Sequence, residues 1–537
     1  MKYKLLTVCV ICAFLTTRAF AAELFIPMDA QGQANHLKAY GIAFAAMQKG
    51  IKVDWLLNYK GGSFGMEDND EMELLCMRRG VSFTKMTAKK YAQIVKEVNS
   101  PSFNGQLVKL EKAPKIAVYT PLNKEPWDDA VTMALTYAEI PFDKLYANEV
   151  LAGDLDKYDW LHLHHEDFTG QYGKFWAQFR DAEWYKNDQK TMEAIAAKNG
   201  YKKVAQMQLA VVKKIRDFVA SGGNMFAMCS ATETFDIALA ADGADICDVP
   251  FDGDAMDPDA QKKLDFTKCF AFKDFTIYYN PYEYAWSNID NTAFRHVPEN
   301  LDNFTIVSPP GKLDVVPVML CQNHTNTIKG FMGRTTAFRK DIIKPNVMVL
   351  ADRLQESDDK IPEGVTGLIS NFYTQNYEAR YIHGEYEKGS WTFLGGHDPE
   401  AYEHHVGDPP TDLSKYPNSP GYRLILNNVL FPAVKKANVP TVVMNSKEDK
   451  PTVPPGAVNN VARDKGIKIY PNPANDELVI SLSSDKIVQV TITNISGQEA
   501  FSHSYNDTQV SVNMNNLAPG MYLIKVNGEY AGKVVKQ

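Results

Sequence analysis

The sequence predicts an α/β protein: a doubly wound, mostly parallel sheet with a β-rich insertion, followed by a small C-terminal β-sandwich. Three observations carry this. From Glu23 onward, short apolar runs bounded by turn residues alternate with segments of helical spacing, the signature of strand–helix–strand units. The last seventy or so residues change to short β-branched runs separated by Asn, Gly and Pro. A chain of 537 residues is too long for one compact domain.

The elements follow in order. Leu24–Met28 reads as a strand, and Asn35–Lys49 has helical spacing and stops at Gly50. Val53–Leu57 is a strand, and Met72–Arg79 a helix capped by Gly80. Lys115–Tyr119 and Asp159–His165 are strands, with a helix over Trp127–Ala138 between them. Gln208–Ala220 is a long amphipathic helix ending at Ser221-Gly222-Gly223. Asn224–Met228 is a buried strand, Thr232–Ala241 a helix, Ser390–Leu394 a strand and Arg423–Val434 a final helix. Residues 242–380 contain the β-rich insertion. Residues 438–465, rich in Pro, Val, Asp and Lys without periodicity, read as an extended linker.

The first 21 residues read as a signal peptide. Lys2 and Lys4 precede the apolar Leu5–Leu15, and Ala19-Phe20-Ala21 is a small-x-small cleavage site. The apolar core is too short to span a bilayer. A net charge of −8, with no basic patch, gives no support for nucleic-acid binding. Of seven cysteines, Cys76, Cys229, Cys247, Cys269 and Cys321 lie beyond the signal segment. An odd count leaves at least one free thiol.

Two segments could carry acyl chemistry. In Ala227-Met228-Cys229-Ser230-Ala231 an apolar strand runs straight into a helix with a thiol at the junction. Small residues two positions away on each side suit a sharp strand-to-helix elbow. The helix N-terminus favours a thiolate, and the Ser230 amide could bind an oxyanion. A buried structural Cys at a strand end fits the same residues. In Gly395-Gly396-His397-Asp398-Pro399-Glu400, His397 follows a strand and two carboxylates follow His397, so a base and its orienting acid lie close in sequence. A Gly-Gly turn with a surface His and capping acids before a helix fits the same residues.

Together these segments resemble the class I glutamine amidotransferase-like fold, a flavodoxin-like architecture, over Lys115–Ala241 and around Arg380–Glu400. The resemblance implies Cys229 as nucleophile, His397 as base and Glu400 as its orienter. Asp398, inserted between His397 and Pro399, competes for that last role, and both elbow glycines of the family are Ala here. The stretch from Leu24 to about Ala433 also resembles exported Bacteroidota proteins often labelled asparagine synthetase B, through His36–Gly41, Trp55–Tyr59, His162–Gly170 and Gly395–Glu400. A synthetase would need an N-terminal Cys and a Ser-Gly-Gly-x-Asp-Ser loop. The mature start is near Ala22, and Ser221-Gly222-Gly223 continues Asn224-Met225-Phe226.

A third cluster is Leu161-His162-Leu163-His164-His165-Glu166. On a strand His162, His164 and Glu166 share one face, and two His with a carboxylate suit Zn²⁺. A polar strand end lining a pocket with His165 fits too. His404 and His405 are additional ligand candidates. No cofactor is expected apart from this Zn²⁺ option. Tyr278, Tyr279, Tyr282, Tyr284, Trp286, Tyr373, Tyr377 and Tyr381 read as core aromatics or as a glycan or peptide cleft. The acidic run Asp252–Asp259 reads as a solvated loop without EF-hand spacing.

The C-terminal segment begins Ile469-Tyr470-Pro471-Asn472-Pro473 and passes through Leu517-Ala518-Pro519-Gly520-Met521-Tyr522 to a basic end. It forms an immunoglobulin-like sandwich in this reading, and it resembles the type A C-terminal sorting domain of the type IX secretion system. The resemblance implies passage through the periplasm, the secretion machinery as partner, and a secreted or outer-membrane surface location. The organisation expected is therefore a signal peptide (1–21), an α/β region (22–437), a linker (438–465) and a separable sorting sandwich (466–537). The activity expected is Cys-dependent hydrolysis of an amide or acyl bond in a small-molecule, peptide or glycan substrate. The alternatives are a non-catalytic surface binding protein and a zinc-dependent hydrolase.

Overall fold

A computed structural model describes residues 22–121, 129–292, 302–307, 315–330, 334–354, 377–402, 409–434, 468–470, 474–482, 486–494, 499–518, 520–527 and 529–536. The signal segment, the 438–465 linker, Tyr373, His404 and His405 lie outside the described residues. Contacts divide the chain into two compact units, Met1–Thr441 and Val442–Gln537.

In the first unit, Ala22–Ile26 (β1), Val53–Leu56 (β2), Ser63–Glu67 (β3), Thr84–Thr87 (β4) and Leu107–Leu110 (β5) form one antiparallel sheet, ordered β4-β1-β3-β2-β5. The helices here are His36–Gln48 (α1), Asp70–Arg79 (α2) and Ala88–Val98 (α3). Local chemistry sets their ends. The Asn35 side chain accepts from the Lys38 amide, and Gly80 closes α2 in the left-handed conformation with φ 66°.

This corrects the expectation that β1 and β2 belong to the parallel sheet. The strand Ser63–Glu67 has few β-branched residues and was not expected. A tight turn through Asn58, Lys60, Gly61 and Gly62, all at positive φ, sends it back between β1 and β2. The result is a split β-α-β unit in a sheet of its own.

The second sheet holds Ile116–Tyr119 (β6), Asp143–Leu145 (β7), Trp160–Leu163 (β8), Asn224–Met228 (β9) and Gly389–Leu394 (β15), all parallel, in the order β15-β9-β8-β6-β7. Ala130–Ala138 (α4) links β6 to β7, and Ala147–Leu151 (α5) follows β7. Val204–Ser221 (α6) leads into β9, and Ala231–Ala240 (α7) leaves it. The chain runs outward from β6 to β7, then returns to β8 on the other side of β6. That reversal is a topological switch point, where open α/β sheets form a crevice at the carboxyl ends of their strands.

The region expected as an insertion extends this same sheet. Asn303–Ile306 (β10), Thr327–Lys329 (β11), Phe338–Arg339 (β12), Met348–Leu354 (β13) and Tyr377–Tyr386 (β14) add antiparallel strands beyond β15, ordered β11-β10-β13-β14-β15, with β12 on β14. The sheet is thus mixed rather than mostly parallel.

Period-2 alternation sorts the two faces. Val118, Trp160, Phe226 and Met228 pack toward α1, α4 and the helix Pro420–Leu430 (α8), in a core shared with the antiparallel sheet. Tyr119, Leu161, Leu163, Ala227 and Phe393 pack with residues of α5, α6 and α7.

The second unit is a sandwich. One sheet holds Lys468–Tyr470, Glu477–Ser481 and Gln509–Asn513. The other holds Ile487–Asn494, Glu499–Asp507, Gly520–Val526 and Glu529–Lys536. Leu478, Ile480, Val490, Ile492, Val512 and Ile524 from both sheets make its core.

One close approach makes a stability test. Gly41 lies on α1 where a Cβ would overlap the Ala138 carbonyl oxygen at the end of α4. Helix propensity alone favours Gly41→Ala by about 1 kcal/mol. Overpacking against backbone costs about 1–3 kcal/mol. We therefore expect Gly41→Ala to lower the melting temperature of this unit in a thermal scan. An unchanged or raised value would show that the two helices part freely.

Candidate active site at the carboxyl edge of the parallel sheet

Cys229 follows β9 directly and has φ 51°. A non-glycine residue in the left-handed region carries strain of about 1–3 kcal/mol, and such residues cluster at functional sites. The cause is the abrupt change from strand to helix: α7 starts two residues later, with Ser230 as N-cap. Ala227 and Ala231 are both fully buried, so bulk at either would have no room. The thiol is 1% exposed and donates to the Arg334 carbonyl oxygen at 3.6 Å. The Ser230 amide opens the helix, among the groups that have no intrahelical partner.

The histidines come from the strands on either side of β9. His164 and His165 follow β8, and His397 follows β15. Because β9 lies between those strands, the rings must reach across its end, and they do. The His164 and His397 rings are 5.3 Å apart, His165 and His397 6.0 Å, and His164 and His165 4.0 Å. One ring nitrogen from each of the three lies within 4.8 Å of the others. His164 is buried, His397 partly so, and His165 exposed. Burial, then the neighbouring His165, His397 and His162, hold the His164 imidazole neutral far below its usual range.

His162 faces inward. Its Nδ1 meets the Phe226 carbonyl oxygen at 3.1 Å and its Nε2 the Asp129 carboxylate at 3.1 Å. Both ring nitrogens are thus engaged. Asp129 caps α4 through the Val131 and Thr132 amides and is fully buried. Burial alone would raise its pKa, but the His162 charge and hydrogen bond with those amides hold it below the usual carboxylate range. His164 Nδ1 lies 3.7 Å from the same carboxylate, so Asp129, His162 and His164 form a second group of ligand-type atoms within 4.8 Å.

The strand trio expected from sequence therefore divides. β8 ends at Leu163, so strand alternation does not extend to Glu166. The Glu166 carboxylate acts on Tyr119 and Tyr146, whose phenols are raised by burial first and by Glu166 next. His164 stays, and its partners are His165 and His397 on one side and Asp129 with His162 on the other.

The acids expected to orient His397 have other partners. Asp398 is buried and accepts from the Glu400 amide at 2.8 Å. Glu400 accepts from the Ser419 hydroxyl at 2.5 Å and lies 3.7 Å from the Lys329 ammonium. The acidic loop forms ion pairs: Lys203 meets Asp245, Asp252 and Asp254, and Lys263 meets Asp257.

Two features here were not anticipated. The Arg334 guanidinium lies among the rings of Tyr284 (3.1 Å), Trp286 (4.2 Å) and Phe175 (5.4 Å) and donates to the carbonyls of Gly173 and Tyr284. Tyr284 is nonetheless 45% exposed and Tyr282 67%, whereas Tyr381 is core. Beneath the elbow, Glu233 on the first turn of α7 is buried and accepts from Ser287 and Thr335, each at 2.9 Å. Burial, then the nearby Asp290, push its carboxyl up to about 8. Asp290 is raised as well, mainly by burial. No local sequence pattern marks Glu233, because its partners lie 54 and 102 residues away.

Residues 468–537 match the family described as the secretion system C-terminal sorting domain. This tail supports export of the chain by the type IX secretion system, with that machinery as partner and a secreted, surface-associated location. No helix among the described residues is long and apolar enough to cross a membrane. No curated protein matches the chain. Among solved structures, a cytoplasmic protein of Salmonella typhimurium, STM3548, is similar at 10% identity over 60% of this chain and 100% of its own, with a TM-score of 0.28. Another, STM1381 of Salmonella typhimurium LT2, has 12% identity over 60% and 100%, with a TM-score of 0.28. A β-galactosidase from Bacillus circulans sp. alkalophilus has 10% identity over 82% of this chain and 44% of its own, with a TM-score of 0.24.

Glu233 yields a pH test. Its folded pKa lies above its unfolded value, so its contribution to stability is full below about pH 4.5 and is lost as pH rises through 8. Glu233→Gln removes that loss. Denaturation at pH 5, 7 and 9 should show the variant gaining on wild type by about 2 kcal/mol or more across the range. Parallel profiles for the two proteins would contradict the assignment.

Proposed function

We propose that the exported α/β region is a metal-dependent hydrolase, with a divalent transition ion held by His164, His165 and His397. One observation carries this reading: three imidazole nitrogens from two non-adjacent strands converge within 4.8 Å at the carboxyl edge of the sheet. The donor chemistry fits. Imidazoles suit Zn²⁺ and its first-row neighbours, and His164 is held in the neutral form that a ligand needs. Tetrahedral Zn–N bonds of about 2.0–2.1 Å put ligand nitrogens about 3.3 Å apart, a separation of the same order as the 4.8 Å within which the three nitrogens lie. Bound there, such an ion supplies Lewis-acid polarisation of a carbonyl or phosphoryl oxygen. Around it, the Asp129 carboxylate lies 3.7 Å from His164 Nδ1, and β9 separates the two ligand segments. An exported location suits hydrolysis, which needs no nucleotide. The expected fate of the tail, separation at the linker, belongs to this same proposal.

Metal content tests it. The full chain dialysed against Zn²⁺ and then against buffer should retain about one equivalent, and zinc should raise its melting temperature. His164→Ala and His397→Ala should each reduce the retained metal to background. Background metal in wild type, or full retention in both variants, would sink the proposal.

A second reading rests on a different observation, the φ of 51° at Cys229. In it Cys229 attacks an acyl carbon, His397 takes the thiol proton and the Ser230 amide binds the oxyanion. His397 cannot serve both readings at once, and the partners of Glu400 lend this one less support. The thiols of Cys76 and Cys321 are pushed up to about 12 by burial, and burial raises those of Cys247 and Cys269 as well. Iodoacetamide near pH 7 should then modify Cys229 well before these four, and Cys229→Ala should abolish the rapid phase. Equal, slow modification of all five would remove the thiol reading and leave the metal reading untouched.

A further inference from the structure

A cavity of about 170 Å³ lies between the first turns of α8 and the strands on the β14 side of β15. Residues of β10, β11, β14 and β15 line it, as do Pro399, Glu400 and the first turns of α8. An apolar cavity of about 150 Å³ holds a benzene molecule, so this volume suits a ligand of roughly six to nine heavy atoms.

The lining is chemically divided. Arg380, 1% exposed, donates through Nε to the Gly395 carbonyl at 2.9 Å, which fixes its side chain against the β15 end. Lys329 stands half-exposed at 3.7 Å from Glu400, whose side chain is 11% exposed and held by the Ser419 hydroxyl. Ile328, Leu394 and Leu424 provide apolar wall.

The charges narrow the ligand class. An anion without a positive group would share the cavity with the Glu400 carboxylate. A cation without a negative group would meet Arg380 and Lys329. Burying either charge against its like is costly. A molecule bearing both charges places its carboxylate on the Lys329 ammonium and its own ammonium on Glu400, with its hydrocarbon on the apolar wall.

We propose that this cavity binds a small zwitterion, an α-amino acid with an aliphatic side chain. The site goes beyond the metal-dependent reading and does not depend on it, because none of the three histidines lines the cavity.

Calorimetric titration of the full chain tests it with three probes of matched shape: L-leucine, 4-methylpentanoate, which lacks the ammonium, and 3-methylbutylamine, which lacks the carboxylate. Leucine should bind once per chain and at least about tenfold more tightly than either analogue. Glu400→Gln should weaken leucine about tenfold or more while improving 4-methylpentanoate. Lys329→Ala, at a half-exposed position that leaves the core intact, should weaken leucine and 4-methylpentanoate together. No leucine binding at millimolar concentration, leucine no tighter than 4-methylpentanoate, or unchanged leucine affinity in Lys329→Ala would each overturn the proposal. Loss of metal from His164→Ala with leucine binding intact would separate this site from the histidine centre.

Discussion

The position of β9 between β8 and β15 is the constraint on which the candidate site depends. Parallel register aligns Leu163 with Ala227 and Leu394 with Met228, so the three strands end at one level. That alignment delivers His164 and His165 from one side, His397 from the other and Cys229 from the middle. Residues more than two hundred positions apart in the chain meet because neighbouring strands are separated by only about 4.8 Å. The switch point between β6 and β8 adds Asp129 from the start of α4.

The edge also concentrates costs that the rest of the unit must offset. Cys229 has a backbone conformation that non-glycine residues avoid. Asp129 and His162 are fully buried partners, each bonded to the other and both tied to backbone groups. Glu233 and Asp290 are carboxyl groups raised by burial beneath the elbow. Polar groups kept this way next to an open strand edge are what a chemical site requires, and they are unusual as mere packing.

Much of this was legible in sequence, and the limits were physical. The elbow could be read because its constraint is local: Ala227, Cys229 and Ala231 lie within five residues. The helix ends at Asn35 and Gly80 were legible for the same reason. The strand β3 was not, because Ser63–Glu67 lacks β-branched residues and owes its place to a turn with four positive-φ residues. The partnership of β10, β13 and β14 with β15 was not legible either, since antiparallel extension of a parallel sheet leaves no mark on a single strand. The structure groups His164 with His165 and His397, and with Asp129 and His162, rather than with Glu166. Strand alternation predicts faces only while the strand lasts, and β8 stops at Leu163. Asp129 did carry a weak signal, an Asp just before Ala130-Val131-Thr132 in the pattern of a helix N-cap. The tail was the most legible part, because its turns and strands repeat in order over a short span.

The claim that matters most is that the carboxyl edge of β8 and β15 is a metal centre. Anomalous diffraction at the zinc absorption edge, from crystals of the full chain grown with zinc, addresses it directly. The account predicts one strong peak about 2.0–2.1 Å from a ring nitrogen of each of His164, His165 and His397. An edge with no peak, or zinc found only among Asp245, Cys247 and Asp252, would contradict it.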